Sequence, residues 1–125
     1  MRLFFAIIIA MNSAFIFTDG AEFSFLDRSI RFPDTQAGVL LEHDFEFENT
    51  GDTPLVINGY DVACSCTKIT FPKEPIAPGQ KGTLHLTFDT NGKYGFQSRK
   101  VKINSNAKKE ITILQFRVNV IPHNE

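Results

Sequence analysis

The segment Leu41-Glu42-His43-Asp44-Phe45-Glu46-Phe47-Glu48 constrains this chain more than any other. Its bulky side chains fall on odd positions and its carboxylates on even ones. An extended backbone sends successive side chains to opposite faces, so as a strand this stretch has one apolar and one acidic side. Wound into a helix, the same residues would group Glu42, Phe45 and Glu46 and bury charge. The segment is therefore a half-buried strand, and other parts of the chain must supply the layer it packs against.

They do so with more strands. Glu22–Leu26 and Ser29–Phe32 are short extended pieces closed by the turn chemistry of Pro33-Asp34. Asn49-Thr50-Gly51-Asp52-Thr53-Pro54 is a turn cluster, with Asn49 and Gly51 as its structural residues. Leu55–Ile57 resumes a strand, Asn58-Gly59 bends it, and Tyr60–Val62 carries it to the cysteines. Thr67–Phe71 is a further short piece, after which Pro72, Pro75 and Pro78 punctuate a loop, since proline cannot donate to a central ladder. Ala77-Pro78-Gly79-Gln80 fits a type II turn: Pro78 fixes φ and Gly79 takes the positive φ next to it. Leu84, Leu86 and Phe88 alternate with Thr83, His85 and Thr87, and Asn91-Gly92 with Gly95 makes the next turn. Between Phe96 and Ile103 the phase breaks, because Phe96 does not match Val101 and Ile103, and a bulge would reconcile them. Asn104-Ser105-Asn106 turns the chain into a long last strand, Ile111–Ile121. About seven to eight short strands, turns every ~8–12 residues and no helical period specify an antiparallel two-sheet sandwich.

Residues 1–21 stand apart. Met1-Arg2 precedes the apolar run Leu3–Met11, and Asn12 and Ser13 separate that run from Ala14–Phe17. One positive charge before an apolar run of this length is the anatomy of a secretory signal. A membrane span needs ~20 apolar residues, and this interrupted run is short for one; an uncleaved N-terminal anchor is the alternative to a cleaved signal. On either reading residues 22–125 form one domain outside the cytoplasm, periplasmic or secreted, with no membrane contact beyond the N-terminal segment. A net charge of -1, from 13 basic and 14 acidic residues mixed along the chain, argues against a nucleic-acid partner, which requires a concentrated basic face. The 13 phenylalanines mostly occupy alternating positions and read as core rather than as a stacking platform.

Cys64 and Cys66 are the sharpest chemical feature. In an extended backbone their Cα atoms would lie ~6.6 Å apart, at the upper end of disulfide range, so a bridge requires a bend and would be strained and labile. Three readings compete: small packed residues or a local bridge, a redox-active dithiol, and a soft-metal site for Cu(I) or Zn. Two thiolates are an incomplete zinc site, and His43, His85 and His123 are the only imidazoles to complete it. His43 shares the apolar phase of its strand and reads as partly buried and hydrogen-bonded. His85 lies on the polar face of its strand, in solvent. The acidic row Glu42, Asp44, Glu46 and Glu48 reads as a solvated strand face, because same-face residues ~7 Å apart cannot converge on one calcium ion. Lys100, Lys102, Lys108 and Lys109 read as scattered solvent charges. No nucleophile–base pair, paired acids or phosphate-binding glycine loop is legible, so the chain reads as no enzyme and calls for no cofactor.

The strings Phe45-Glu46-Phe47-Glu48-Asn49-Thr50-Gly51, Pro54–Ile57, Cys64-Ser65-Cys66-Thr67, Pro78-Gly79, Gly95-Phe96 and Asn104-Ser105-Asn106 together resemble a family of small exported bacterial proteins of unknown function. That family is common in Bacteroidetes and is marked by a Phe-x-Phe-x-Asn-Thr-Gly strand and turn followed by Cys-Gly-Cys-Thr. The resemblance spans about Ile30 to Pro122, with Ser65 where the family has glycine, and extends more remotely to cilium-associated and major-sperm-protein sandwich domains. It implies an immunoglobulin-like fold and an envelope or secreted location. The expectation is thus an exported envelope binding or structural module whose partner is another envelope protein, met through strand edges and end loops including Gly59–Thr67. The alternative is a periplasmic thiol-redox or soft-metal protein using Cys64 and Cys66.

Overall fold

The computed structural model describes residues 20–123; the proposed signal or anchor segment lies outside them apart from Gly20 and Ala21. Nine strands succeed one another: β1 (Phe23–Phe25), β2 (Ser29–Arg31), β3 (Thr35–Gln36), β4 (Leu40–Asn49), β5 (Ile57–Val62), β6 (Thr67–Thr70), β7 (Lys81–Asp89), β8 (Gly95–Ser105) and β9 (Ile111–Ile121). They form two sheets, a four-stranded one in the order β1-β4-β7-β6 and a five-stranded one in the order β2-β9-β8-β5, with β3 also on β9. The fold is an immunoglobulin-like β-sandwich. Strand number exceeds the expected seven to eight because the segment after Pro33 contributes the two-residue β3. Most pairs are antiparallel, but β2 and β3 run parallel to β9. Pairs that short have no alternation for a sequence pattern to register.

β4 contains the alternating stretch Leu41–Glu48. Phe45 and Phe47 are buried, Leu41 and His43 half-buried, and Glu42, Asp44 and Glu46 exposed. Its neighbour β7 runs antiparallel, from Leu40 opposite Asp89 to Glu48 opposite Lys81. The facing layer comes from β8 and β9, where Val101, Ile103, Leu114, Phe116 and Val118 are fully buried. Phe88 of one sheet meets Phe116 of the other with ring centroids 5.0 Å apart. Burying a phenylalanine completely contributes roughly 1.5–3 kcal/mol, so the inward residues of these four long strands supply the main drive for the two layers to close.

The expected bulge in β8 is absent. β8 pairs with β9 in unbroken register from Gly95 to Asn104, and Phe96 simply points outward, 59% exposed. The register shift lies instead in β5, between Ile57 and Gly59, where the sequence bends at Asn58-Gly59.

Candidate functional site

Two ends of the sandwich carry the residues that the sequence singles out. At one end Asn49 closes β4 with its side chain fully buried. Its Nδ2 donates to the carbonyls of Thr53 (2.8 Å) and Ile76 (2.9 Å). Its Oδ1 accepts from the N–H groups of Glu22 (3.2 Å) and Gly51 (3.0 Å). All four hydrogen-bonding positions of the amide are thereby used. Gly79, at φ 80°, donates its N–H to the Asn49 carbonyl (2.7 Å), and Gln80 N–H bonds Ala77 O (3.0 Å), the bond of the expected type II turn at Pro78. Gly51 is required for space rather than for φ. A Cβ there would overlap the Gly20 carbonyl oxygen and lie 2.7 Å from both Ala21 Cα and Glu22 N. Asn49, Gly51, Pro78 and Gly79 thus meet as one junction tying the N-terminal strand, the end of β4 and the proline loop together. Every bond in it is internal.

Cys64 and Cys66 occupy the opposite end, since Cys66 O accepts the N–H of Asp89 (2.9 Å), which pairs with Leu40. They are joined to each other by a disulfide with Cα atoms 5.2 Å apart, closer than a straight strand allows. The bend that permits this is a turn in which Thr67 N–H donates to Cys64 O (3.1 Å). Cys66 N–H also points to Cys64 Sγ (3.2 Å). The loop joins β5 of one sheet to β6 of the other, so the bridge lies where the chain crosses between layers. Among the described residues no group of three histidine, cysteine or acidic side chains is placed to hold a metal ion. With each sulfur bonded to the other, neither offers a thiolate.

A groove of about 410 Å³ runs beside this loop, lined by Asp61, Val62, Cys64, Arg99, Lys100 and Lys102 among others. Arg99 is the residue that sequence reasoning missed, because it sits in the inward phase of β8 where a guanidinium is unexpected. Its Nη2 donates to Gln97 Oε1 (2.7 Å), its guanidinium carbon lies 5.8 Å from the Phe88 ring centroid, and its buried Nε has no partner among the described residues. A slightly larger concavity, about 460 Å³, lies by Phe25, Leu26, Glu46 and Lys81 and brings together neither cysteine nor histidine.

The histidines stay apart from the cysteines. His43 packs edge-on against Phe45 (centroids 4.8 Å) and Phe32 (6.3 Å), half-buried as its phase implies; no hydrogen bond to it is found among the described residues, against the expectation. His123 is exposed beyond β9. His85 is not simply in solvent. Its Nδ1 lies 2.5 Å from Asp44 Oδ1 and its Nε2 3.3 Å from Glu42 Oε1, bridging the acidic row of β4 from β7. Hydrogen bonding to Asp44 first, and to Glu42 second, raises its pKa above the usual 6.5. The remaining carboxylates of the row face Thr83 and Lys81 across the strand pair.

Residues 23–120 match the family model described as Protein of unknown function (DUF1573). No curated protein matches the chain in sequence. Among solved structures, a protein of unknown function from Porphyromonas gingivalis W83 superposes with a TM-score of 0.69 at 13% identity, over 79% of this chain and 46% of that one. The chain therefore spans about half the length of that protein. The ASH/PapD-like domain 7 of human CEP192 superposes with a TM-score of 0.63 at 16% identity, covering 84% of this chain and 89% of the domain. A part of the Vibrio cholerae VesB protease, 32% of its chain, superposes with a TM-score of 0.59 at 11% identity over 82% of this chain. Identities this low carry the sandwich architecture and no activity.

Proposed function

We propose a role for this chain from one premise: it belongs to the family described as Protein of unknown function (DUF1573). The role is that of an exported cell-envelope module that binds another protein and performs no chemistry. Export rests on the charged and apolar start of the sequence, Met1–Met11. The observation that carries the binding reading is the outer face of the five-stranded sheet, where Phe96 (59% exposed), Ile111 (46%), Ile113 (44%) and Ile121 (39%) all face solvent. Apolar side chains on the outer face of a sheet contribute nothing to the core and mark contact surfaces when they recur on one face. By contrast, the residues of the Asn-Thr-Gly and Pro-Gly turns are committed to internal bonds, and the cysteines are committed to each other. The bridge lends no support to a metal-handling role, and a thiol-redox role would require it to open.

The test is in cells. A photo-crosslinking residue is introduced at Phe96 or at Ile113 of the tagged full chain, with Glu74 in the exposed proline loop as the control position. The expected result is a discrete adduct in the envelope fraction from the sheet positions and none from the loop. Retention of the tagged chain in the cytosol, or equal labelling from all three positions, would refute the proposal.

A further inference from the structure

The charges of this protein are segregated by layer, which its near-zero net charge conceals. On the outer face of the five-stranded sheet stand Arg31 of β2, Lys100 and Lys102 of β8, and Arg117 of β9, all exposed. Arg31 and Arg117 are direct cross-strand partners. Like charges placed opposite each other in a sheet are destabilising, so this pair works against the fold that carries it. No acidic side chain among the described residues relieves them, for the ion pairs found there involve only His85 with Glu42 and Asp44. Asp61, opposite Lys102, has its Oδ2 engaged by Asn104 Nδ2 (2.9 Å). Apolar groups flank the cations: Ile111 and Ile113 towards one end, Phe96 and Ile121 towards the other, with the Arg31 guanidinium carbon 5.8 Å from the Phe96 ring centroid.

The outer face of the four-stranded sheet has the opposite sign. Glu42, Asp44, Glu46 and Glu48 of β4 and Asp89 of β7 outnumber Lys68, Lys81 and the His85 they surround. Both faces are built on strands, so their charges repeat at the same same-face spacing, ~6.8 Å along each strand. Matched spacing and opposite sign make the acidic face a complement to the basic one.

We infer that the outer face of the five-stranded sheet docks the outer face of the four-stranded sheet of a second copy, head to tail. This rests on the binding-module reading and names its partner. The two faces lie on opposite sides of the sandwich, so the contact is heterologous and does not close as a two-fold dimer; it extends into short linear stacks. Docking sets the cations of one face against the carboxylates of the other, of which Asp44 and Glu42 are engaged within their own chain by His85, covers the exposed isoleucines and leaves both ends of the sandwich free.

Sedimentation velocity on the purified full chain tests this. At low salt the weight-average sedimentation coefficient rises with protein concentration through a ladder of sizes rather than stopping at a dimer. Raising salt from about 50 mM to about 500 mM shortens the screening length from ~14 Å to ~4 Å and weakens the association about tenfold or more. Lys100→Glu with Lys102→Glu cancels the positive charge of the basic face and abolishes association, as does Glu42→Lys with Glu46→Lys, which removes the acidic excess of the other face. Mixing the two double variants restores it, because the unaltered face of each then meets its complement. Circular dichroism matching wild type excludes misfolding of these exposed positions as the cause. A wild-type chain that stays monomeric at low salt, or an association that neither variant disturbs, overturns the inference. Adducts at Phe96 or Ile113 with a different protein, from a chain that is monomeric when pure, overturn self-docking and leave the module reading standing. A monomer with no adducts at all removes both.

Discussion

Replacing Asn49 by alanine removes four hydrogen bonds made by a fully buried side chain: two accepted from Glu22 and Gly51 N–H, and two donated to Thr53 and Ile76 carbonyls. The Ile76 bond is buried, and its carbonyl loses this partner with no solvent to replace it, although it still accepts from Leu55 N–H (2.8 Å). The other three are part-buried, and water recovers some of their loss. At about 1 kcal/mol for a typical bond and 1–3 kcal/mol for a buried group left unsatisfied, the total is about 3–5 kcal/mol. For a domain of this size that lowers Tm by roughly 12–25 °C. Urea denaturation checks it directly: the midpoint falls while the slope m stays constant, because the surface exposed on unfolding is unchanged. Asn49→Asp separates bonding from volume. It keeps the size of the side chain and its acceptor oxygen but turns the donor nitrogen into an oxygen facing two carbonyls, so at neutral pH it destabilises at least as much as alanine. If Asn49→Ala costs no more than ~0.5 kcal/mol, as an ordinary surface change does, the hydrogen bonds of this junction do not hold it together. If Asn49→Asp is neutral, the effect is packing and not hydrogen bonding.

The same geometry sets three further outcomes. Gly51→Ala, which drives a methyl into the backbone of Gly20–Glu22, costs roughly 2 kcal/mol or more and frees the N-terminal strand, read as lost hydrogen-exchange protection at Glu22 and Phe23; Gly59→Ala, with nothing within 4 Å, is the near-neutral control. His85 has a folded-state pKa above 6.5, so its cluster with Asp44 and Glu42 stabilises the fold fully below that value and loses its contribution as pH rises through the raised pKa. NMR titration of the His85 ring should give a pKa above 6.5 that falls further with Asp44→Asn than with Glu42→Gln, and an unshifted histidine would contradict the geometry. Changing both Cys64 and Cys66 to serine opens a loop with a single residue between the cysteines, so chain entropy supports a loss of only about 1–2 kcal/mol, and the thermal melt stays cooperative. Failure of that variant to fold would make the bridge a structural staple.

Much of the fold was legible because a strand with one buried face writes its period into the sequence. Leu41–Glu48, Thr83–Phe88 and Ile111–Ile121 show it plainly, and Pro78-Gly79 and Asn91-Gly92 mark their turns by local backbone preference alone. Phe96 shows the limit of that reading. An outward-facing phenylalanine breaks the hydrophobic phase just as a bulge would, and only pairing with β9 distinguishes them. The two-residue β3 also escaped, as did the parallel direction in which β2 and β3 join β9, because that depends on where the chain lies after its turns and not on their own residues.

For the sites the division is sharper. Sequence alone identified the Asn-Thr-Gly turn, the cysteine pair and the acidic row, each a local pattern. Tertiary structure decided what they do: Asn49 bonds partners up to 27 residues away, the cysteines are bridged because the β5–β6 crossing bends the chain, and His85 bridges the row from a strand 41 residues further on. It also gathered Arg31, Lys100, Lys102 and Arg117, scattered through the sequence, onto one face. Local conformation is set by a residue and its neighbours, whereas partners and electrostatic surface depend on strand order and register, which the chain settles only when its two layers close.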